Sequence, residues 1–186
     1  MRVIMTAEAM GRTLSRMAHE IAEKFPGELA QAVMIGIRTR GLPLAHRLQG
    51  LLRGVTGMTL PVGVLDITLY RDDLTQIGPA PLVRKTELPF RVTDRPVFLV
   101  DDVLFTGRTV RAALDELVDY GRPRTVRLFV LIDRDHRELP IQADVVGQFV
   151  ATELDEIVHV LLRETDGRDS VVVTRRTEPL NLEALE

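Results

Sequence analysis

The sequence predicts an α/β protein in which helices flank a parallel sheet and a small antiparallel β flap lies beside it. Short apolar runs typical of buried strands alternate with amphipathic helical patterns over the first two thirds of the chain. Polar turns follow three of these runs, and such turns meet at the carboxyl edge of a right-handed parallel sheet, where ligands bind. The last third carries only short strand patterns, with the hairpin dipeptide Asp166-Gly167 between two of them.

The first 70 residues predict two helices and two strands. Thr6 is suited to cap a helix over 7–24, in which apolar residues recur at steps of three and four. The run 32–37 (AVMIGI) predicts a buried strand, which leads through a polar turn into a second helix with apolar residues as far as Leu52. Residues 60–70 (LPVGVLDITLY) are rich in β-branched side chains and predict a further strand.

The rest of the chain begins with a long polar loop. Residues 71–96 are punctuated by proline, and a loop of this length is usually either functional or disordered. A strand over 97–100 is then predicted, followed by a helix with apolar residues from Val110 to Val118 and by a strand over 125–132. The tail is predicted to form an antiparallel lobe with strands over 145–150, 156–162 and 170–174.

Composition bounds the class of protein. The chain has 186 residues, of which 45% are hydrophobic, and this is enough for one domain with a sizeable core. Because the net charge is -3, any nucleic-acid surface has to come from a local cluster of cations. The absence of cysteine excludes disulfides and thiolate metal sites, and no stretch approaches the roughly 20 apolar residues of a membrane span. We expect a cytoplasmic protein with no membrane partner.

The stretch 97–109 (VFLVDDVLFTGRT) combines two kinds of chemistry. Asp101 and Asp102 follow a buried strand, and their carboxylates suit vicinal ribose hydroxyls and, directly or through water, a divalent cation. The turn after them leads into a helix whose first N–H groups and dipole form an anion site, and Gly107 lets the backbone approach a phosphate closely. A ribose 5-phosphate fits both halves of this stretch.

Other phosphate motifs are disfavoured by the same sequence. Gly36 and Gly41 have the glycine spacing of a P-loop, but Leu42 stands where lysine is required, and no G-x-G-x-x-G follows any predicted strand. Nucleotide hydrolysis and dinucleotide binding are therefore disfavoured. Two alternatives stay open at this point: a solvated acidic turn before a capped helix, and a receiver-like phosphoacceptor in which one of the two acids is phosphorylated.

These segments carry a family resemblance. The stretch 97–109 resembles the phosphoribosyl pyrophosphate signature of type I phosphoribosyltransferases. One branch, the bifunctional pyrimidine operon attenuators with uracil phosphoribosyltransferase activity, is resembled by 35–48 (IGIRTRGLPLAHRL), 62–74 (VGVLDITLYRDDL) and 133–144 (DRDHRELPIQAD). The resemblance implies a single phosphoribosyltransferase domain over 1–186, with a mobile lid loop over 71–96 and a small hood or flap over about 134–176.

The resemblance also implies roles for particular residues. Asp101 and Asp102 are the candidate catalytic pair, and they are also candidate ligands of a Mg ion that is held mainly through substrate. The ribose-phosphate-binding residues are Asp101, Asp102, Val103, Leu104, Phe105, Thr106, Gly107, Arg108 and Thr109. The pyrophosphate loop comprises Arg38, Thr39, Arg40 and Gly41, and arginine forks independently suit phosphate oxygens. The lid cations are Arg71, Arg84 and Lys85, and the residue placed nearest the nucleobase is Arg134.

Contacts with messenger RNA are implied for one helix face and one loop. The positions that match the attenuator family's RNA-gripping residues are Ser15, Arg16, His19 and Arg137. The first three of these fall on the side of the first helix opposite its apolar stripe. Gln142 and Gln148 stand where the family has basic residues, and the loss of two cations should weaken RNA binding and reduce its salt dependence.

Several functions are compatible with these residues. One is a uracil phosphoribosyltransferase that makes UMP and pyrophosphate, joined to UMP-responsive binding of the leader messenger RNA of the pyrimidine operon. Another is an RNA-binding attenuator that senses UMP with negligible turnover, and a third is a purine phosphoribosyltransferase. The resemblance further implies Mg as cofactor and a homodimer or higher homo-oligomer.

Overall fold

The structure, a computed structural model, describes residues 1–70 and 85–181. Its elements, in chain order, are β1 (Arg2–Met5), α1 (Ala7–Lys24), β2 (Val33–Ile37), α2 (Gly41–Thr56), β3 (Val62–Leu65), β4 (Pro96–Leu104), α3 (Arg108–Asp119), β5 (Thr125–Asp133), β6 (Val145–Phe149), β7 (Glu156–Leu161), α4 (Arg163–Asp166) and β8 (Ser170–Arg175). A 3-10 helix (Ile67–Tyr70) follows β3.

Within the described residues, the main sheet contains five parallel strands in the order β3-β2-β4-β5-β6. On β2, Gly36 pairs with Val64 of β3 and with Val100 of β4. On β4, Asp101 pairs with Val130 of β5. Every residue of β2 is buried, which explains why this strand is a continuous apolar run and not an alternating pattern.

Helices cover both faces of the main sheet. Phe98 and Phe129 point to the face that α1 and α2 cover, and their rings meet edge to face with centroids 5.1 Å apart. Leu99 and Val130 point to the opposite face and belong to the core built with Leu117 of α3. The predicted parallel sheet with flanking helices is therefore confirmed, and polar side chains are left to gather at the edge where the strands end.

A smaller sheet joins the two ends of the described chain. Its strands are antiparallel in the order β1-β8-β7, and α4 with Gly167 (φ 76°) connects β7 to β8. The chain does reverse direction between the two strands as predicted, but through α4 and not through a hairpin turn made by Asp166-Gly167 alone. β1, which the sequence pattern did not predict, pairs Val3 with Val172 of β8. We call β1, β7, α4 and β8 together the small sheet.

Two predicted elements can be compared with the structure at their ends: one has the predicted bounds and the other does not. The helix over 7–24 is confirmed, and Thr6 caps it by accepting from Ala9 N at 3.3 Å. The strand predicted over 60–70 is wrong beyond Leu65. There the Asp66 carboxylate accepts hydrogen bonds from the backbone N–H of Thr68 at 3.0 Å and from its hydroxyl at 2.5 Å, and this local pairing competes with continued strand pairing.

The prediction for 145–150 is wrong in its pairing. This segment is a strand, but β6 runs parallel to β5, with Phe129 beside Val145, and so extends the main sheet. The other two predicted tail strands, β7 and β8, are antiparallel as expected. The lid prediction for 71–96 falls partly outside the described residues, and the division into lid and hood stays a prediction. Among the residues that the structure describes, no helix combines the length and the apolar character of a membrane span.

Candidate active site

The candidate site lies where β2, β4 and β5 end at the carboxyl edge of the main sheet. β4 runs four residues further than predicted, because Asp101 and Leu104 still pair with Val130 and Asp133 of β5. The two acids therefore lie inside a strand and are held by its ladder. The next strand, β2, delivers the pyrophosphate loop to the same edge, and a Cβ added at Gly41 would lie only 2.4 Å from the carbonyl oxygen of Val100.

Asp101 and Asp102 form a closely coupled acidic pair. Asp101 is buried at 5% exposure, and its Oδ1 accepts from the backbone N–H of Asp102 at 2.9 Å. Burial raises the pKa of Asp101 well above its ordinary value, and the neighbouring charge of Asp102 raises it further. Burial also raises the pKa of Asp102, although the hydrogen bond with Asp101 and the cation of Arg40 oppose that rise. A bound cation, or hydroxyl groups that donate to the pair, would stabilise its charged form.

Residues 105–109, which we call the phosphate loop, connect β4 to the first turn of α3. Gly107 adopts the left-handed conformation (φ 91°) at the start of α3, and a Cβ there would lie 3.3 Å from Cβ of Ile141. Glycine therefore suits this position both in conformation and in the space available. Gly107 has no side chain to cap α3, and the backbone N–H of Arg108 donates instead to Oγ1 of Thr106 at 3.3 Å. The positive end of the helix dipole still makes this turn a suitable place for an anion.

The predicted pyrophosphate loop holds its two arginines differently. Arg38 donates from Nη2 to the carbonyl oxygen of Lys85 at 3.1 Å, and the Arg38–Thr39 peptide bond is cis. Arg40 donates from Nη2 to Oδ1 of Asp166 at 2.9 Å. The Nε atoms of both arginines are buried and have no hydrogen-bond partner in the described part of the chain. Each guanidinium thus retains donor capacity toward a ligand.

The loop after β5 braces the phosphate loop. The carbonyl oxygen of Thr106 accepts from the backbone N–H groups of Glu138 and Leu139 at 3.0 and 3.2 Å. Arg108 donates from Nε to Oε2 of Glu138 at 2.6 Å. The family resemblance places residues 133–139 near the nucleobase without singling out Glu138, and the pair that Glu138 forms with Arg108 was not predicted.

Arg137 is part of this brace. Its guanidinium donates to the carbonyl oxygen of Phe105 at 2.7 Å and to that of Ile141 at 2.9 Å, and it also pairs with the carboxylate of Asp133. The RNA assignment of Arg137 stays a prediction. Its donors in the structure are directed to backbone and side chain within the protein.

Arg134 lies against the phosphate loop. Its guanidinium carbon stands 4.0 Å from the ring centroid of Phe105, a cation–π contact, and Nε donates to Oγ1 of Thr152 at 3.0 Å. Burial lowers the pKa of Arg134 below its ordinary value. The structure therefore brings the residue predicted near the nucleobase next to Phe105, on the side of the site that β5 supplies. Of the predicted lid cations, Arg71 and Arg84 lie outside the described residues, and Lys85 is exposed at the start of the next described segment.

Of the residues predicted to contact RNA, Ser15, Arg16 and His19 lie on α1, and Arg137 lies in the loop between β5 and β6. Arg16 donates to the carbonyl oxygens of Val146 and Gly147 at 2.9 and 2.5 Å, which ties α1 to β6. His19 is exposed and is hydrogen-bonded through Nδ1 to the carbonyl oxygen of Ser15 at 2.8 Å. Both glutamines that replace family cations, Gln142 and Gln148, are exposed.

Known proteins resemble the chain in sequence. Residues 4–161 match the family described as phosphoribosyl transferase domain. The chain is 59% identical to bifunctional protein PyrR of Chloroflexus aurantiacus over 172 residues, which is 92% of this chain and 94% of that protein. It is 55% identical to bifunctional protein PyrR of Thermus thermophilus over 173 residues, 93% of this chain and 95% of that protein.

Solved structures resemble the fold. The hypoxanthine phosphoribosyltransferase of Trypanosoma cruzi superposes with a TM-score of 0.72 over 94% of this chain and 97% of that chain, at 18% identity. A hypoxanthine-guanine phosphoribosyltransferase of Bacillus anthracis superposes with a TM-score of 0.65 over 81% of this chain and 84% of that chain, also at 18% identity. At such low sequence identity, these structural similarities show a shared fold and nothing more.

Proposed function

The chain belongs to the phosphoribosyl transferase domain family and, within it, to the proteins named bifunctional protein PyrR, and from this membership we propose that it makes UMP and pyrophosphate from uracil and phosphoribosyl pyrophosphate. One observation carries the proposal. Asp101, which is buried, and Asp102 lie near the carboxyl end of β4, and Gly107, five residues after Asp102, is the N-cap of α3. This arrangement offers acceptors for ribose hydroxyls and donors for a 5-phosphate side by side.

In the proposed reaction, N1 of uracil attacks the anomeric carbon while the bond from that carbon to pyrophosphate breaks. Positive charge develops on the ribose ring, and negative charge develops on the leaving pyrophosphate. Asp101 and Asp102 lie where carboxylates would hold the ribose hydroxyls, and Arg38 and Arg40 supply cations for the leaving group. Positioning and electrostatics account for catalysis on this scheme, which needs no protein nucleophile.

The residues present fit a Mg ion. Asp101 and Asp102 have pKa values raised by burial, so a nearby cation would favour their charged forms. The described residues contain no group of three or more His, Asp or Glu side chains that could hold a metal, so substrate oxygens would supply most of the ligands. When bound, Mg would neutralise charge on the pyrophosphate.

We also propose that the protein binds the leader messenger RNA of the pyrimidine operon in response to UMP. The relatives are named bifunctional, and α1 with β6 presents an exposed face that carries Arg12, His19 and Gln148. Only local cations are available for this purpose, because the net charge of the chain is -3. A cytoplasmic location and a homodimer or higher homo-oligomer are carried over from the family resemblance.

A paired measurement tests both halves of this proposal. UMP formation is followed with uracil, phosphoribosyl pyrophosphate and Mg, beside parallel reactions in which hypoxanthine or adenine replaces uracil. Binding of the leader RNA is followed by gel shift with and without UMP. We expect turnover with uracil alone and an RNA shift that UMP strengthens. Turnover with a purine and not with uracil would contradict the enzymatic half, and a shift that is absent or indifferent to UMP would contradict the regulatory half.

A further inference from the structure

The contact between Arg40 and Asp166 joins the pyrophosphate loop to the small sheet. The two residues are 126 positions apart, and their ion pair spans 2.9 Å from Nη2 to Oδ1. The Asp166 side chain is only 16% exposed, so solvent screens this pair less than a surface ion pair. Asp166 lies outside the pyrophosphate loop, so the motif of that loop gave it no role.

Asp166 is itself held firmly in place. Its second carboxylate oxygen accepts from the backbone N–H of Leu162 at 2.9 Å and from the hydroxyl of Thr165 at 2.6 Å. These bonds, together with that from Arg40, overcome the opposing effect of burial and lower the pKa of Asp166. The carboxylate is therefore charged at neutral pH, with one oxygen fixed by α4 and the other directed at Arg40.

The segment that carries Asp166 is anchored to the main body of the protein by a separate arginine. Arg47 of α2 donates to both carboxylate oxygens of Glu164 at 2.8 and 2.5 Å, and to Oδ1 of Asp169 at 2.6 Å. Asp169 in turn accepts from the backbone N–H of Arg163 at 2.8 Å. The position of Asp166 is thus set by contacts that do not involve Arg40.

Arg40 lies between this fixed acid and the candidate catalytic pair. Its charge is close enough to Asp102 to oppose the rise of the pKa of that carboxyl. The Nε atom of Arg40 is buried and has no hydrogen-bond partner in the described part of the chain, while one terminal nitrogen is bound to Asp166. With Asp166 removed, Asp102 would remain to attract the guanidinium, which would be drawn away from the leaving group.

We propose that Asp166 is a positioning residue for the reaction: it orients the Arg40 guanidinium toward the pyrophosphate and keeps it from collapsing onto Asp102. The inference rests on the proposed function, since it assigns the ligand of Arg40 as a pyrophosphate group. It extends the site to the small sheet, whose α4 then sets the affinity for phosphoribosyl pyrophosphate without contacting it.

The test is a double-mutant cycle between Asp166→Ala and Arg40→Ala, read by calorimetric binding of phosphoribosyl pyrophosphate with Mg and by steady-state kinetics. We expect Asp166→Ala to weaken binding and raise the KM for phosphoribosyl pyrophosphate about tenfold, the scale of one charge-assisted hydrogen bond, with the KM for uracil unchanged. In the Arg40→Ala background the same change should have no further effect. An unchanged affinity in Asp166→Ala, or an equal loss in both backgrounds, would overturn the inference.

Glu178→Ala is the matched control. It removes an exposed carboxylate that pairs with the ammonium group of Met1 and belongs neither to the Arg40 contact nor to the anchor of α4, so it should leave the affinity for phosphoribosyl pyrophosphate unchanged. An affinity loss in Glu178→Ala as large as that in Asp166→Ala would show a general effect of removing an acid and would overturn the positioning role. Asp166→Asn, which keeps the size of the side chain and removes its charge, provides a second variant if the alanine variant does not fold.

The failure of this inference can be told apart from the failure of the proposed function. Uracil turnover by the wild-type protein tests the function, whereas calorimetric affinity tests the role of Asp166 without any turnover. If the wild-type protein turns over uracil and the affinity of Asp166→Ala for phosphoribosyl pyrophosphate is unchanged, only the role of Asp166 is wrong.

Discussion

At the scale of single residues, the carboxyl group of Asp101 is held where its charged form is disfavoured. It is 5% exposed and lies next to a second acid, and its pKa is raised by burial first and by the charge of Asp102 second. Two coupled acids within a core strand are unfavourable for stability, and such groups are typical of functional sites, where a ligand pairs with them. In the proposed function, ribose hydroxyls and a cation would pair with Asp101 and Asp102.

This environment predicts a pH-dependent effect of Asp101→Asn. Because the folded-state pKa lies above the unfolded value, the folded protein binds the extra proton, and stability falls as pH rises through the folded pKa. Asparagine keeps the oxygen that accepts from the Asp102 N–H and cannot ionise. We expect the ligand-free variant to melt about 2–4 °C above wild type at pH 8, the shift given by roughly 1 kcal/mol, with a smaller difference near pH 4. Thermal denaturation at both values measures this, and equal melting temperatures at pH 8 would contradict it.

At the scale of elements, two loops interlock at the end of β4 and β5. The carbonyl oxygens of Phe105 and Thr106 accept from the loop after β5, and Gly107 packs against Ile141. The phosphate loop therefore takes its shape from a segment about 30 residues further along the chain.

Arg137→Gln tests this interlock. The variant loses donors to Phe105 and Ile141 and leaves the nearly buried Asp133 carboxylate without its guanidinium partner. We expect a melting temperature lower by several degrees, the scale of about 1–3 kcal/mol for a broken buried network, and a raised KM for phosphoribosyl pyrophosphate. Arg111→Gln, which removes an exposed cation that pairs with Asp115, should change neither. If Arg137→Gln lost RNA binding while its stability and kinetics stayed at the wild-type level, the bracing role would be wrong.

Helices and strands could be predicted where the local sequence pattern determines their bounds. They were harder to predict where pairing with a neighbouring strand determines their bounds or direction. Helix α1 shows its start, stripe and end in the sequence, and the structure gives the same bounds. The strand over 60–70 fails at Asp66, because one carboxylate bonds to Thr68 two residues later. The orientation of β6 was missed because a five-residue strand has the same pattern whether its neighbour is parallel or antiparallel.

At the scale of the whole molecule, the site is assembled from segments that are distant in sequence. The stretch 97–109 and the pyrophosphate loop could be located from the sequence, because each combines several characteristic residues with a buried strand. The role of Asp166 could not be predicted, because a single acid in a polar segment has no signal until the fold brings it to Arg40. The pair between Glu138 and Arg108 was missed for the same reason, although the segment that contains Glu138 was expected near the site. Long-range ion pairs of this kind are set by tertiary structure alone.

The proposed RNA-binding face is also a property of the whole molecule, since α1, β6 and the loop before β6 would contribute to it. Gln142 and Gln148 are exposed there, and each replaces a cation of the attenuator family. We expect the double variant Gln142→Arg, Gln148→Lys to bind leader RNA more tightly and to steepen the dependence of log affinity on log salt by about 1–2, the effect of two added phosphate contacts. Gel shifts over a salt series measure both quantities. The double variant Asp115→Asn, Asp119→Asn on α3, which covers the opposite face of the main sheet, raises the net charge by the same amount and is the control; an equal gain from it would contradict a local face.

The proposed role of Asp102 in holding the ribose of phosphoribosyl pyrophosphate can be tested by kinetics. UMP formation from uracil, phosphoribosyl pyrophosphate and Mg is compared for wild type, Asp102→Ala and the exposed control Asp115→Ala. We expect kcat to fall on the order of 100-fold in Asp102→Ala, the scale of losing one preorganised group, and to be unchanged in the control. Turnover of Asp102→Ala at the wild-type rate would show that this carboxylate is not part of the site.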